Sequence, residues 1–238
     1  LRFIGGRGDK PFFLQLWTLV PHATLNPTPE QIEPFARFSN PDLPHRSART
    51  IHYASVADLD REVGRLLRRL GEMGLGDDTI VVFSSDNGPE DIFIQNAGHS
   101  GVGSPGPFRG RKRSLYEGGV RVPFLVRWPG RVPAGRVDDA TIVGGIDFLP
   151  TMCALTGVPV PTGLEADGED LSGSLLGTVA PRARPLMWEW RFGIAGHVIN
   201  RSPQLAIRDG DWKLLLNPDC RDRKSTRLNS SHANISYA

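Results

Sequence analysis

Ile80-Val-Val-Phe-Ser-Ser-Asp86-Asn87 is an apolar run that stops on an acid and an amide, followed at once by Gly88-Pro89. A short apolar stretch rich in β-branched residues predicts a buried strand. Open α/β sheets bind their ligands beyond the carboxyl ends of such strands, and an acid beside an amide suits a hard divalent cation. Turn chemistry alone also favours Asp-Asn-Gly after a strand, so this segment by itself leaves both readings open.

Upstream, residues 48 to about 72 predict the longest helix. Leu59, Val63, Leu66, Leu67 and Leu70 recur on one face at the helical period, with Arg61, Glu62, Arg65, Arg68 and Arg69 opposite. Gly71, Gly74 and Gly76 predict its end. Residues 11–20, Pro-Phe-Phe-Leu-Gln-Leu-Trp-Thr-Leu-Val, read as a second buried strand that ends at Pro21-His22. The order strand, helix, strand predicts parallel pairing of 11–20 with 79–84 through a crossover.

Downstream, residues 88–119 form a glycine-rich loop, and Pro123-Phe-Leu-Val-Arg-Trp128 is a strand closed by Pro129-Gly130. Ala140-Thr-Ile-Val143 reads as a short strand before a helix that starts at Asp147, and residues 157–185 as loop. The pattern then changes to closely spaced strands, Pro185–Trp190, Gln204–Arg208 and Asp211–Leu216, with a hairpin predicted at Asp209-Gly210. These define three parts: 1–182, a small antiparallel subdomain at 183–220, and a polar, aperiodic tail at 221–238. The tail resembles translated adapter sequence and is left out of the fold.

The chain has 238 residues, 39% hydrophobic and 23% charged, ordinary values for a globular protein. No run approaches the roughly 18 apolar residues of a membrane span. The first residue is Leu1, which predicts a true start further upstream. Net charge is +2; residues 221–238 carry +3 of it, leaving −1 on the rest, which gives no footing for a nucleic-acid partner. Cys153 and Cys220 lie in no metal-ligand spacing, and Cys153, in the apolar stretch 148–155, reads as a small buried hydrophobe.

Further groups bear on chemistry. Lys112 lies in Phe108-Arg-Gly-Arg-Lys-Arg-Ser-Leu-Tyr-Glu-Gly-Gly-Val-Arg121, a basic run leading straight into a structured turn. Fixed cations are what an anionic ester needs in its transition state, although Arg-Lys-Arg alone also fits a surface patch. His22 follows a predicted strand end, where a lone histidine is more often structural. His99 receives no role. Trp188 and Trp190 alternate along a strand and read as packing residues.

Asp86-Asn87-Gly88 and the segment Tyr116-Glu-Gly-Gly-Val-Arg-Val-Pro123 together resemble the sulfatase family, the formylglycine-dependent sulfate ester hydrolases, over roughly residues 10–220. The similarity extends to the arylsulfatases and N-acetylgalactosamine-6-sulfatase-like enzymes. It implies an α/β alkaline-phosphatase-like sandwich, incomplete here, with a small C-terminal antiparallel subdomain. It implies one calcium ion bound by Asp86 and Asn87, in a site that two acids absent from this chain complete. It implies Lys112 and His22 as catalytic contacts to the sulfate, and a sulfated small molecule or glycan as substrate. Family members are usually exported. The family nucleophile arises from Cys or Ser in a C/S-x-P/A-x-R segment, which neither Cys153 nor Cys220 matches. The chain is therefore expected to be an inactive fragment of an enzyme. The alternatives are a polyanion-binding protein that uses Arg109–Arg113, and a phosphatase or phosphodiesterase of the same superfamily.

Overall fold

The computed structural model describes residues 2–40, 48–91, 98–179, 181–192, 201–216 and 233–237. The chain divides into two compact units. The first is Leu1–Asp77 with Pro89–Gly106; the second is Asp78–Gly88 with Pro107–Ile194 and Val198–Ala238.

In the first unit, helices α1 (Arg2–Gly5) and α2 (Pro29–Ile32) precede the long α3 (Ala48–Glu72). Helix α2 starts from a capping box: Thr28 Oγ1 accepts from the Gln31 amide and Gln31 Oε1 accepts from the Thr28 amide at 2.7 Å, with Pro29 at the first helical position. The predicted helix at 48–72 is present. It buries Thr50, His52, Ala54, Ser55 and Leu70, while the predicted leucine stripe is only half-buried before Leu70. Its exposed side carries the pairs Arg61–Asp58, Arg65–Glu62 and Arg69–Glu72, each contributing at most about 1 kcal/mol. A 3-10 turn at Gly98–Val102 packs on it.

Residues 11–19 are not a strand. They run without ladder hydrogen bonds, and Phe13, Trp17 and Leu19 are 71%, 85% and 85% exposed. An apolar run becomes a buried strand only when neighbours pair with both its edges and cover its faces, and no strand among the described residues does so. The predicted crossover pairing is accordingly replaced. Strand β1 (Val81–Ser84) instead pairs antiparallel with β2 (Phe124–Arg127), Val81 opposite Arg127 and Ser84 opposite Phe124.

The second unit continues through α4 (Glu117–Val120), α5 (Phe148–Thr156) and α6 (Ser172–Leu175), the last inside the stretch expected as loop. Residues 140–143 form no strand. There the backbone turns back on Asp138, whose Oδ1 accepts from the Ala140 and Thr141 amides at 3.1 and 2.9 Å. Cys153 on α5 is half-buried rather than buried; Cys220 lies outside the described residues.

Strands β3 (Leu186–Glu189), β4 (Leu205–Asp209), β5 (Trp212–Leu216) and β6 (Ala233–Tyr237) form an antiparallel sheet in that order. The hairpin is shifted by one residue from expectation. Asp209 pairs with Trp212, so Gly210-Asp211 are the central residues, and Gly210 takes φ +53°, the left-handed geometry that a tight hairpin asks of its first central position. Of the tail, only 233–237 is described, as β6 paired to β5. Inward from the sheet, Ala206 and Leu215 meet Leu115 and Tyr116, with Trp188, Trp190 and Val120 packed around them. The apolar core of this unit thus seats the 115–120 segment directly on the sheet, and Trp188 on β3 and Trp190 just beyond it serve packing as expected.

Candidate active site

Asp86 and Asn87 emerge where β1 ends. Asp86 is exposed and Asn87 half-buried. Asp86 Oδ1 accepts from the Asn87 amide at 3.0 Å, and Asn87 Nδ2 donates to the Gly88 carbonyl at 2.9 Å. With its amide nitrogen engaged, Asn87 presents its side-chain oxygen, and Asp86 retains Oδ2. Both are hard oxygen donors of the type calcium takes, supplying two of the roughly six to eight it needs. Among the described residues, no three His, Cys, Asp or Glu side chains gather into a further metal-ligand group.

The backbones that leave β1 and enter β2 stay in register beyond the strands. Ser84 Oγ donates to the Pro123 carbonyl at 2.9 Å, and the Gly88 amide to the Gly119 carbonyl at 2.8 Å. Gly88, Gly118 and Gly119 are all buried. A methyl group on Gly88 would overlap the Gly118 carbonyl; one on Gly118 would overlap the Gly110 carbonyl; one on Gly119 would overlap the Ser114 carbonyl. Glycine is needed at these positions because backbone lies against backbone.

Lys112 is carried by the loop that closes on the same glycines. The Gly118 amide donates to the Arg109 carbonyl at 2.8 Å, tying the loop's first residue to α4. Lys112 and Arg113 form its turn, and Arg113 has φ +68°, the left-handed region that non-glycine residues occupy only at a local cost of about 1–2 kcal/mol. Arg111, Lys112 and Arg113 are half-buried. Arg109 lies over the Tyr116 ring at 4.0 Å from its centroid, and Arg121 over Phe108 at 4.7 Å. The basic run is therefore folded into the site's scaffold rather than spread as an open patch.

Glu117, the acid of Tyr-Glu-Gly-Gly, collects three cations. Oε1 accepts from Lys213 Nζ at 2.5 Å; Oε2 lies 3.3 Å from Arg208 and 4.0 Å from Arg121. Lys213 is 1% exposed. Burial pushes its pKa down, opposed by the hydrogen bond and charge of Glu117. Sequence reading missed Lys213. The signal was its inward position in Trp212-Lys213-Leu214-Leu215, where Lys213 and Leu215 share the buried face, but the leucine run hid the alternation.

His22 belongs to the first unit and is exposed, its Nδ1 2.8 Å from the Ala23 carbonyl. His99 lies in the 3-10 turn against α3, where its backbone hydrogen-bonds His52. Burial outweighs that bond and holds His52 below the usual histidine pKa. Asp86, Asn87 and Lys112 all belong to the second unit.

The Sulfatase family profile matches residues 1–158, and that of N-sulphoglucosamine sulphohydrolase, C-terminal, matches residues 108–218. The chain is 38% identical to human arylsulfatase A over 172 residues, 72% of this chain and 30% of that protein. It is 29% identical over 220 residues to the N-acetylgalactosamine-6-O-sulfatase of Bacteroides thetaiotaomicron, 90% of this chain and 38% of that protein. The structure of Ps i-CgsB in complex with k-i-k-neocarrahexaose superimposes with a TM-score of 0.67 at 25% identity, over 91% of this chain and 41% of that one. The fold is thus the α/β alkaline-phosphatase-like class. Within that class, the chain belongs to the sulfatase family, and it spans 30% and 38% of the length of the two sulfatases named above. No helix among the described residues is long and apolar enough to cross a membrane.

Proposed function

We propose that this chain is part of a sulfuric ester hydrolase that cleaves sulfate esters of carbohydrates. The reaction consumes water and the ester and yields the free alcohol and hydrogen sulfate. The observation that carries this reading is the glycine contact between the Asp86-Asn87 turn and the loop of Lys112. It joins by backbone the turn that carries Asp86 and Asn87 and the segment that closes the Lys112 loop, which supports a site of hard oxygen donors and a cation, the groups an anionic ester calls for.

Lys112 binds sulfate oxygens and stabilises charge as the ester bond breaks. Asp86 and Asn87 would hold a calcium ion, which when bound supplies further positive charge beside the sulfate. The nucleophile, a formylglycine, comes from a segment outside this chain. Relatives that act on or bind carbohydrates, the galactosamine sulfatase and the neocarrahexaose complex, support the substrate class.

The test is hydrolysis of an aryl sulfate by the full-length protein and by the 238-residue chain, each beside its Asp86→Ala variant. Turnover is expected from the full-length protein and lost in its variant, while the chain alone gives none. Turnover by the chain above its control would refute the fragment reading. An aryl phosphate preferred over the sulfate would favour the phosphatase alternative. Heparin binding that survives Asp86→Ala without metal, in a protein lacking turnover, would favour polyanion binding.

A further inference from the structure

The buried ion pair between β5 and α4 is the strongest feature the site chemistry leaves unused. Lys213 is almost wholly inside, its Nζ 2.5 Å from Glu117 Oε1 and 5.2 Å from the centroid of the Trp188 ring. The Glu117 side chain is 13% exposed and Arg208 14%, so Arg208 adds a second cation within the same largely buried cluster. Arg121, 46% exposed, adds a third at the rim. Removing charges from water is costly, and apolar residues of the same volume often stabilise such an interface as well or better. What an ion pair adds is direction. Two hydrogen-bonding groups have one favourable arrangement, whereas apolar side chains slide.

That arrangement sits one residue from the glycine platform. Glu117 precedes Gly118, whose amide holds the Arg109 carbonyl, and Gly119, whose carbonyl receives the Gly88 amide. We propose that Lys213 is a positioning residue for the sulfate site. By fixing Glu117 it fixes the Gly118–Gly119 turn, and so sets the Lys112 loop and the Asp86-Asn87 turn against each other. The inference rests on the reading of Lys112 as the sulfate-binding cation. Lys213 touches no substrate; it acts through α4.

The test is a double-mutant cycle on kcat/KM for an aryl sulfate in the full-length protein, with Lys112→Ala and Lys213→Met. Lys213→Met is expected to lower kcat/KM roughly 10- to 100-fold, the scale of a displacement of about 1 Å in a positioned group. On the Lys112→Ala background the same change is expected to add less than about threefold, because residues that act through one another are not additive. Lys213→Arg, which keeps the charge, is expected to recover part of the loss. A purely structural role would lower the fraction of folded enzyme and multiply independently of Lys112→Ala. Glu117→Gln runs the same cycle with almost unchanged shape, should Lys213→Met not fold. If Lys112→Ala is slow and the second substitution contributes its full factor, the positioning role is overturned alone. If Lys112→Ala leaves kcat/KM unchanged, the sulfate-binding reading fails and takes this inference with it.

Discussion

The Gly88 amide donates to the Gly119 carbonyl at 2.8 Å, and neither residue has room for a side chain. One hydrogen bond thereby joins the turn after β1 to the turn before β2, and with them the two motifs by which the family is recognised. Gly88→Ala is expected to lower stability by about 1–3 kcal/mol, the usual penalty for forcing a methyl into packed structure. Gly145→Ala, where a methyl meets open space, should stay within about 0.5 kcal/mol. Urea unfolding of both variants checks this; equal effects would mean the glycine platform is not tightly packed.

Asp147 and Arg182 form a second buried anchor. Asp147 is fully buried and accepts two hydrogen bonds from Arg182, one of them 2.9 Å from Nη2 to Oδ1, and others from the amides of Gly144 and Glu169 at 2.7 and 2.8 Å. These tie residues 144–147, 169 and 182 together at the start of α5. Asp147→Asn removes the carboxylate facing Arg182, leaving Glu169 at 3.6 Å as the remaining acid beside the guanidinium, and is expected to cost about 3 kcal/mol. Equilibrium denaturation of the chain reads it directly, and a loss under about 1 kcal/mol would contradict the anchor.

The same carboxylate predicts an acid limb. Burial opposes its ionisation, but the hydrogen bonds from Arg182, Glu169 and Gly144, with the charge of Arg182, outweigh burial and leave its pKa below the ordinary aspartate value. A depressed folded pKa contributes stability that is present above the unfolded value of about 3.9 and is lost as pH falls through the folded value. Stability should therefore drop below about pH 4, and Asp147→Asn should flatten that drop. A variant with the same acid limb as the native chain would assign the drop to other carboxylates.

Calcium binding is checked by thermal unfolding of the full-length protein in calcium and in chelator. Calcium is expected to raise Tm in the native protein and to leave Asp86→Ala nearly unmoved, since a ligand stabilises only the state that binds it. A rise preserved in Asp86→Ala would place the ion elsewhere.

Legibility in the sequence followed the range of the forces involved. The helix at 48–72, the strands at 81–84 and 124–127 and the three strands from 186 to 216 rest on local periodicity and turn residues, and they were readable. The strand expected at 11–20 depends on neighbours that no local pattern specifies, and residues 11–19 instead run exposed. The hairpin slipped by one residue because Asp209-Gly210 and Gly210-Asp211 offer similar turn chemistry, and the pairing of Asp209 with Trp212 decides between them. Asp86, Asn87 and Lys112 were legible as candidates through motif strings. Their joint platform was not, because it is built from glycine backbone separated by about 30 residues of chain. Lys213 needed the sheet itself, since its partner Glu117 lies 96 residues earlier.

The most direct measurement of the central claim is kcat/KM for an aryl sulfate in the full-length protein with Lys112→Ala beside Arg111→Ala. The sulfate-binding account predicts a loss of roughly 100-fold or more for Lys112→Ala, the scale of removing one transition-state contact, and a change within a few-fold for Arg111→Ala. Equal losses in the two variants would contradict it and return Lys112 to a basic surface run.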